Sequence, residues 1–122
     1  MIGIDIADVR RIRKAIESKS FRDRVFTAAE QRYCDGKPVP HVSYAGLFCA
    51  KEAAVKAIKS GFGKGIMPTD IEIEHDENGA PVLNARGNAA SVFAAYSADV
   101  SVSHDGDYAV AVVMLLDRSD KR

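Results

Sequence analysis

Ile2, Ile4 and Ile6 alternate with Gly3 and Asp5 at the start of the chain. This period-two pattern predicts a strand whose isoleucines face a core, with Asp5 pointing away from them. The period then lengthens. Val9, Ile12 and Ile16 predict a helix capped by Asp8, which leaves Arg10, Arg11, Arg13 and Lys14 on the remaining surface. Thr27 with Glu30 three residues on is a capping box and predicts a short helix to about Cys34, followed by a loop at Gly36, Pro38 and Pro40. From Val42 to about Ser60, Tyr44, Phe48, Val55 and Ile58 recur at three- and four-residue spacing. That is the stripe of a core-packed helix, and Gly61 suits the left-handed position past its end.

In the second half, Ile71 and Ile73 alternate with Glu72 and Glu74, a turn spans 76–79, and Pro81 to Asn84 returns. These predict a hairpin with one wet face. A short helix is expected from about Asn88 to Tyr96, then a strand through Val100 and Val102, a turn at Asp105 and Gly106, and a strand from Tyr108 to Leu116. The last strand is apolar on both faces, so it belongs at the centre of the domain or in a subunit interface. A polar tail, about 117–122, is expected to fray. The whole reads as one α+β domain over 1–122, mainly antiparallel sheet with a long central helix.

At 122 residues and 47% hydrophobic, the chain has material for a single core. No run approaches the roughly 20 apolar residues of a membrane span and no secretory segment opens the chain, so a cytoplasmic protein is expected. Cys34 and Cys49 are too few for a disulfide framework or a zinc site, and read as reduced thiols. Net charge is zero, but residues 1–65 carry 13 basic against 7 acidic side chains and residues 66–122 carry 4 against 10. The basic half suits a nucleotide, a phosphate or an acidic protein, or is simply a solvated face.

Lys51 falls on the apolar stripe of the central helix. It must snorkel outward or reach an anionic partner. Glu52, Lys56 and Lys59 lie on the adjoining stripe, where Glu52 and Lys56 form either an ordinary i,i+4 pair or part of a site. Residues 60–65 read SGFGKG, yet Lys64 precedes Gly65 and the loop follows a helix, so the Walker pattern fails. Its glycines still let backbone N–H groups approach a phosphate, unless the segment is only a helix stop and turn.

Taken together, the motifs resemble the small trimeric type of 4′-phosphopantetheinyl transferase, the holo-[acyl-carrier-protein] synthases. Gly3, Asp5 and Arg11 fit one block, and Phe48, Lys51, Glu52, Ala53 and Lys56 fit a second. Gly61 with Gly63, Asp70 to Ile73, Gly79 with Pro81, and Ser101 to His104 ahead of Tyr108 and Ala109 complete the order. The resemblance covers essentially the whole chain and implies the fold of that family.

It also implies transfer of the 4′-phosphopantetheine arm of coenzyme A to a serine of an apo acyl carrier protein, releasing adenosine 3′,5′-bisphosphate. Asp5 and Glu52 would hold Mg2+, a hard ion bound by one or two carboxylates, water and substrate phosphates. Lys56 would stabilise the phosphates, with Glu52 or a metal-bound water as base. Lys51, Lys56, Gly61, Gly63, Lys64 and His104 would contact coenzyme A. Arg10, Arg11, Arg13 and Lys14 would receive the acidic carrier. A homotrimer is implied, and neither nucleic acid nor membrane. Where many relatives carry arginine before the phenylalanine, this chain has Leu47. A phosphate contact is then missing, which Lys51 or Lys64 would replace. Two alternatives remain at this level: a non-catalytic trimeric nucleotide-binding module, and another Mg-dependent phosphoryl transfer enzyme.

Overall fold

In the computed structural model, which describes residues 1–59, 62 and 65–118, one long helix is the element on which the others pack. The order is β1 (Ile2–Asp8), α1 (Val9–Ala15), α2 (Lys19–Val25), α3 (Ala28–Asp35), α4 (Pro40–Ala57), β2 (Ile71–His75), β3 (Pro81–Ala85), α5 (Ala90–Phe93), β4 (Tyr96–Asp105) and β5 (Tyr108–Asp117). Single 3-10 turns precede β2 and α5. β1, β5 and β4 form an antiparallel sheet in that order, and β2–β3 is a separate hairpin. α4 lies across all three strands of the larger sheet, with α1, α3 and β2 on its flanks. This is the α+β architecture expected. No helix among the described residues is long and apolar enough to cross a membrane.

The contact of α4 with β1 is unusually close. A Cβ on Gly3 would lie 2.0 Å from the Ala53 carbonyl oxygen and 2.6 Å from the Ala57 nitrogen, both backbone atoms. Only glycine admits this approach. The consequence inverts one expectation: Ile2, Ile4 and Ile6 are 61%, 60% and 65% exposed, and the inward face of β1 is Gly3, Asp5 and Ala7. Alternation identified the strand correctly, but the helix backbone leaves no room for branched side chains on the inner face. The isoleucines instead line up with Met114, Val112 and Val110 of β5 on the outer face. β5 is central, as one of its two expected places required, and its inward residues Ala109, Ala111, Val113 and Leu115 are buried.

Lys51 reaches the core. It is 1% exposed, with its ammonium 2.7 Å from Glu30 and donating to the carbonyls of Pro68 and Ile71 at 2.9 and 2.7 Å. Burial pulls its pKa down, and the Glu30 carboxylate resists that shift. Glu30 also closes the capping box on Thr27 and accepts from the Ile73 N–H at 2.8 Å, so the pair ties α3, α4 and β2 together. Glu72 departs from the wet face expected of the hairpin. It is 7% exposed, accepting from Thr27 at 2.6 Å and pairing with Arg86 at 3.1 Å.

Boundaries shift at the ends of elements. α4 runs from Pro40 to Ala57, and Lys59, at φ 60°, takes the left-handed position after it. Gly61, the residue expected there, lies outside the described residues, as do Gly63, Lys64 and 119–122 of the tail. The helix expected over 88–96 is a 3-10 turn plus α5, because β4 already begins at Tyr96. Both thiols are fully buried, and burial pushes each up to about 12, so neither is reactive near neutral pH.

The close approach yields a test. Gly3→Ala should destabilise the fold by about 3 kcal/mol, the upper end of the range for overpacking, since only backbone could yield. Urea unfolding of the two proteins measures it, and an unchanged midpoint would contradict the packing described.

Candidate active site

Gly3 precedes Asp5 by two positions on the inward face of β1, while Glu52 and Lys56 flank Ala53 on α4 by one and three residues. The backbone contact therefore draws together three charged side chains from distant parts of the chain. Lys56 Nζ donates to Asp5 Oδ1 at 2.9 Å and to the Ile4 carbonyl at 3.2 Å. The ordinary Glu52–Lys56 surface pair is not what forms, since Lys56 turns to Asp5. Burial raises the Glu52 pKa, and the nearby Asp5 charge raises it further against the opposing effect of Lys56.

The Asp5 charge disfavours that of Glu52, and Lys56 pairs with Asp5 alone, so the two carboxylates have room to share a further cation. Asp5 and Glu52 offer oxygen donors only, which fits magnesium, an ion that fills most of its shell with water and substrate oxygens. Among the described residues no group of three or more His, Cys, Asp or Glu side chains could hold a metal by itself. The carboxylates open on a pocket of about 340 Å³ whose other walls include Asp8, Arg11, Phe21 and Phe48. Asp8 caps α1 by accepting from the Arg10 N–H at 2.9 Å.

The basic helix divides into one cation engaged by acids and others with no acid partner among the described residues. Arg10 is bound at both Asp8 oxygens, at 3.0 and 2.8 Å, and approaches Asp107 at 3.5 Å. The Arg10 side chain beside Asp8 holds that carboxyl down at about 2. Arg11, Arg13 and Lys14 are exposed, and Arg11 borders the carboxylate pocket.

His104 lies elsewhere. It sits on β4, the opposite edge of the sheet from β1, in a cleft of about 220 Å³ with Ser43, Leu47, His75, Pro81 and Val102. No lining residue is shared with the Asp5 pocket. Leu47 is 3% exposed and forms apolar floor where an arginine would project a cation. The expected contact from Lys51 to coenzyme A is corrected by the structure: its three donors are spent on Glu30, Pro68 and Ile71 inside the core. It cannot compensate for Leu47. Lys64, the other candidate, lies outside the described residues, with Gly61 and Gly63.

Sequence reasoning missed the Asp5–Lys56 contact, the Lys51–Glu30 pair and the wall of the cleft formed by Tyr33 and His75. Of these the Lys51–Glu30 pair had a signal: a lysine on an apolar stripe must snorkel or reach an anionic partner, and Glu30 is marked by its capping box. The third had none, because Tyr33 and His75 belong to elements far apart in the chain.

Comparison with known proteins agrees over nearly the full length. Residues 1–113 match the 4′-phosphopantetheinyl transferase superfamily. The holo-[acyl-carrier-protein] synthase of Geobacter metallireducens is 42% identical over 118 residues, covering 93% of this chain and 94% of the relative. That of Protochlamydia amoebophila is 41% identical over 112 residues, covering 90% and 92%. The Helicobacter pylori holo-[acyl-carrier-protein] synthase solved in complex with coenzyme A superposes with a TM-score of 0.86 at 35% identity, over 95% of this chain and all of that one. The Bacillus anthracis enzyme in complex with CoA (3′,5′-ADP) gives 0.80 at 34% identity, covering 93% of each. Motif order, fold and full-length similarity agree, and this chain belongs to the 4′-phosphopantetheinyl transferase superfamily.

Proposed function

We infer that this protein transfers 4′-phosphopantetheine from coenzyme A to a serine of apo acyl carrier protein. The observation that carries the reading is the convergence of Asp5, Glu52 and Lys56 beside an exposed basic helix. It is supported by relatives named for this activity along the whole chain. A purely nucleotide-binding module would have no use for two repelling carboxylates at the floor of a pocket.

In this reading Asp5 and Glu52 hold magnesium, which when bound supplies charge neutralisation for the pyrophosphate of coenzyme A. Lys56, already aimed at Asp5, contributes positive charge to the same phosphates as they arrive. Glu52 accepts the proton of the carrier serine, whose hydroxyl is a weak nucleophile until deprotonated. Asp8 fixes the start of α1 and so the orientation of Arg11 at the pocket rim.

The carboxylates stand at the β1 edge of the sheet and the His104 cleft at the β4 edge. One extended substrate needs both, with the adenosine end in the cleft and the pyrophosphate at the carboxylates. A head-to-tail association, in which the β1 edge of one copy meets the β4 edge of the next, brings them together and closes a ring at three subunits. The exposed strip of Ile2, Ile4, Ile6, Met114 and Leu116 gives that trimer its apolar contact.

The deciding experiment is mass spectrometry of an apo carrier incubated with the protein, coenzyme A and magnesium. The carrier should gain one phosphopantetheine, and an unmodified carrier would refute the activity. Asp5→Ala and Glu52→Ala should each remove transfer while leaving the unfolding midpoint near that of the parent; near-parental turnover at saturating magnesium would contradict the shared site.

Docking of the carrier rests on Arg11, Arg13 and Lys14 more than on Arg10, whose guanidinium is engaged by Asp8. Arg11→Glu, alone or with Lys14→Glu, should raise the KM for carrier many-fold, leave that for coenzyme A nearly unchanged, and flatten the loss of rate with added salt. Equal effects on both substrates, or none on the carrier, would remove the helix from the docking surface.

A further inference from the structure

The stripe of α4 that meets the sheet is made of small residues. Gly3 lies against Ala53 and Ala57, Cys49 donates to the Ala109 carbonyl at 3.3 Å, and a Cβ on Gly46 would stand 3.1 Å from Val102. Such a surface sets how closely the helix lies on the strands, but its shallow relief opposes rotation about the helix axis only weakly. Rotation is what the carboxylates cannot tolerate. Glu52 projects roughly 5–6 Å from the axis of α4, so a turn of about 10° carries its carboxylate roughly 1 Å. Magnesium demands donors at about 2.0–2.1 Å in near-octahedral array, so a shift of that size takes one carboxylate out of the shell.

One residue before Glu52, Lys51 supplies the restraint that the stripe lacks. Its ammonium donates to Glu30 at 2.7 Å, to the Pro68 carbonyl at 2.9 Å and to the Ile71 carbonyl at 2.7 Å, so all three of its protons are directed. Glu30 in turn accepts from the Thr27 and Ile73 N–H groups, each at 2.8 Å. Neither side chain of the pair is more than 1% exposed, which leaves it no surface for a substrate. A buried ion pair often stabilises a fold no better than apolar side chains of the same volume would. What it adds is direction: its bonds run to α3, to the turn at Pro68 and to β2, and one rotation of α4 satisfies them together.

We propose that Lys51 is a positioning residue for Glu52: its buried bonds to Glu30, Pro68 and Ile71 fix the rotation of α4 on its small-residue stripe, so that the Glu52 and Asp5 carboxylates meet one magnesium ion. The assignment rests on the reading that these two carboxylates hold the ion. Lys51 acts on the reaction through Glu52 alone.

The test combines Glu30→Gln with Lys51→Met, which removes both charges together, nearly keeps the volume, and leaves an amide carbonyl to accept the capping N–H. The double variant should unfold in urea near the parental midpoint. Calorimetric titration of the coenzyme A-saturated protein with Mg2+ should show a Kd raised tenfold or more, and kcat should fall about ten- to hundredfold, with the KM for the carrier unchanged. Parental magnesium affinity and kcat in the folded double variant would overturn the assignment. So would a loss of kcat matched by an equal rise in the carrier KM, which marks a general loosening of the fold. Should the double variant not fold, Glu30→Gln alone is measured in the same way, and parental magnesium affinity there overturns the assignment too; if neither folds, the pair is a structural part and the assignment falls. An inactive parent refutes the functional reading and this inference with it, whereas an active parent with unaltered variants refutes this inference alone.

Discussion

The absence of a side chain at Gly3 is the constraint on which the remaining architecture depends. With a Cβ there colliding at 2.0 Å with the Ala53 carbonyl, α4 could not lie on β1 as it does. Ala53, Ala54 and Ala57 on the facing side of the helix are fully buried and continue the same small-residue contact. Closeness here has two results. It excludes the isoleucines of β1 to the outer face, and it brings Asp5 within reach of Lys56 and into the field of Glu52. A packing requirement and an electrostatic one are met by the same short segment, and the outward apolar strip is left exposed.

The opposite flank of α4 is fixed by charge rather than by closeness. An ammonium in the interior is tolerable only when its protons are all satisfied, and Glu30 with two carbonyls satisfies those of Lys51. Since Glu30 also caps α3 and accepts from β2, the helix is held in one axial register relative to both. Register matters because Glu52 follows Lys51 directly: a helix slipped by one residue would aim Glu52 away from Asp5. Lys51 thus fixes the helix from inside the core, with its ammonium engaged by Glu30, Pro68 and Ile71.

Much of this was legible in the sequence. Helix and strand periods, the capping box at Thr27, and the order of motifs around Asp5 and Glu52 identified the elements and the family. What alternation could not tell was which face of β1 is buried, because period two is symmetric and the deciding fact is a tertiary approach at Gly3. Nor could stripe position tell a ligand-binding lysine from a buried one at Lys51, since the partner is 21 residues earlier on another helix. Glu72 was read as wet for the same reason: its alternation is that of a surface position, and Thr27 and Arg86 cover it only in three dimensions.

The arrangement has one further demand. Under the proposed function, the carboxylates at the β1 edge of one copy and the cleft at the β4 edge of the next form one substrate site. Subunit complementation tests this directly. Asp5→Ala removes the carboxylate half, and Ser43→Trp plugs the cleft half; each alone should be inactive. Mixed in equal amounts after dissociation and reassembly, they should recover about a quarter of parental activity, the share of random head-to-tail contacts that join two intact halves. A mixture that reassembles and stays inactive would contradict a site shared between copies.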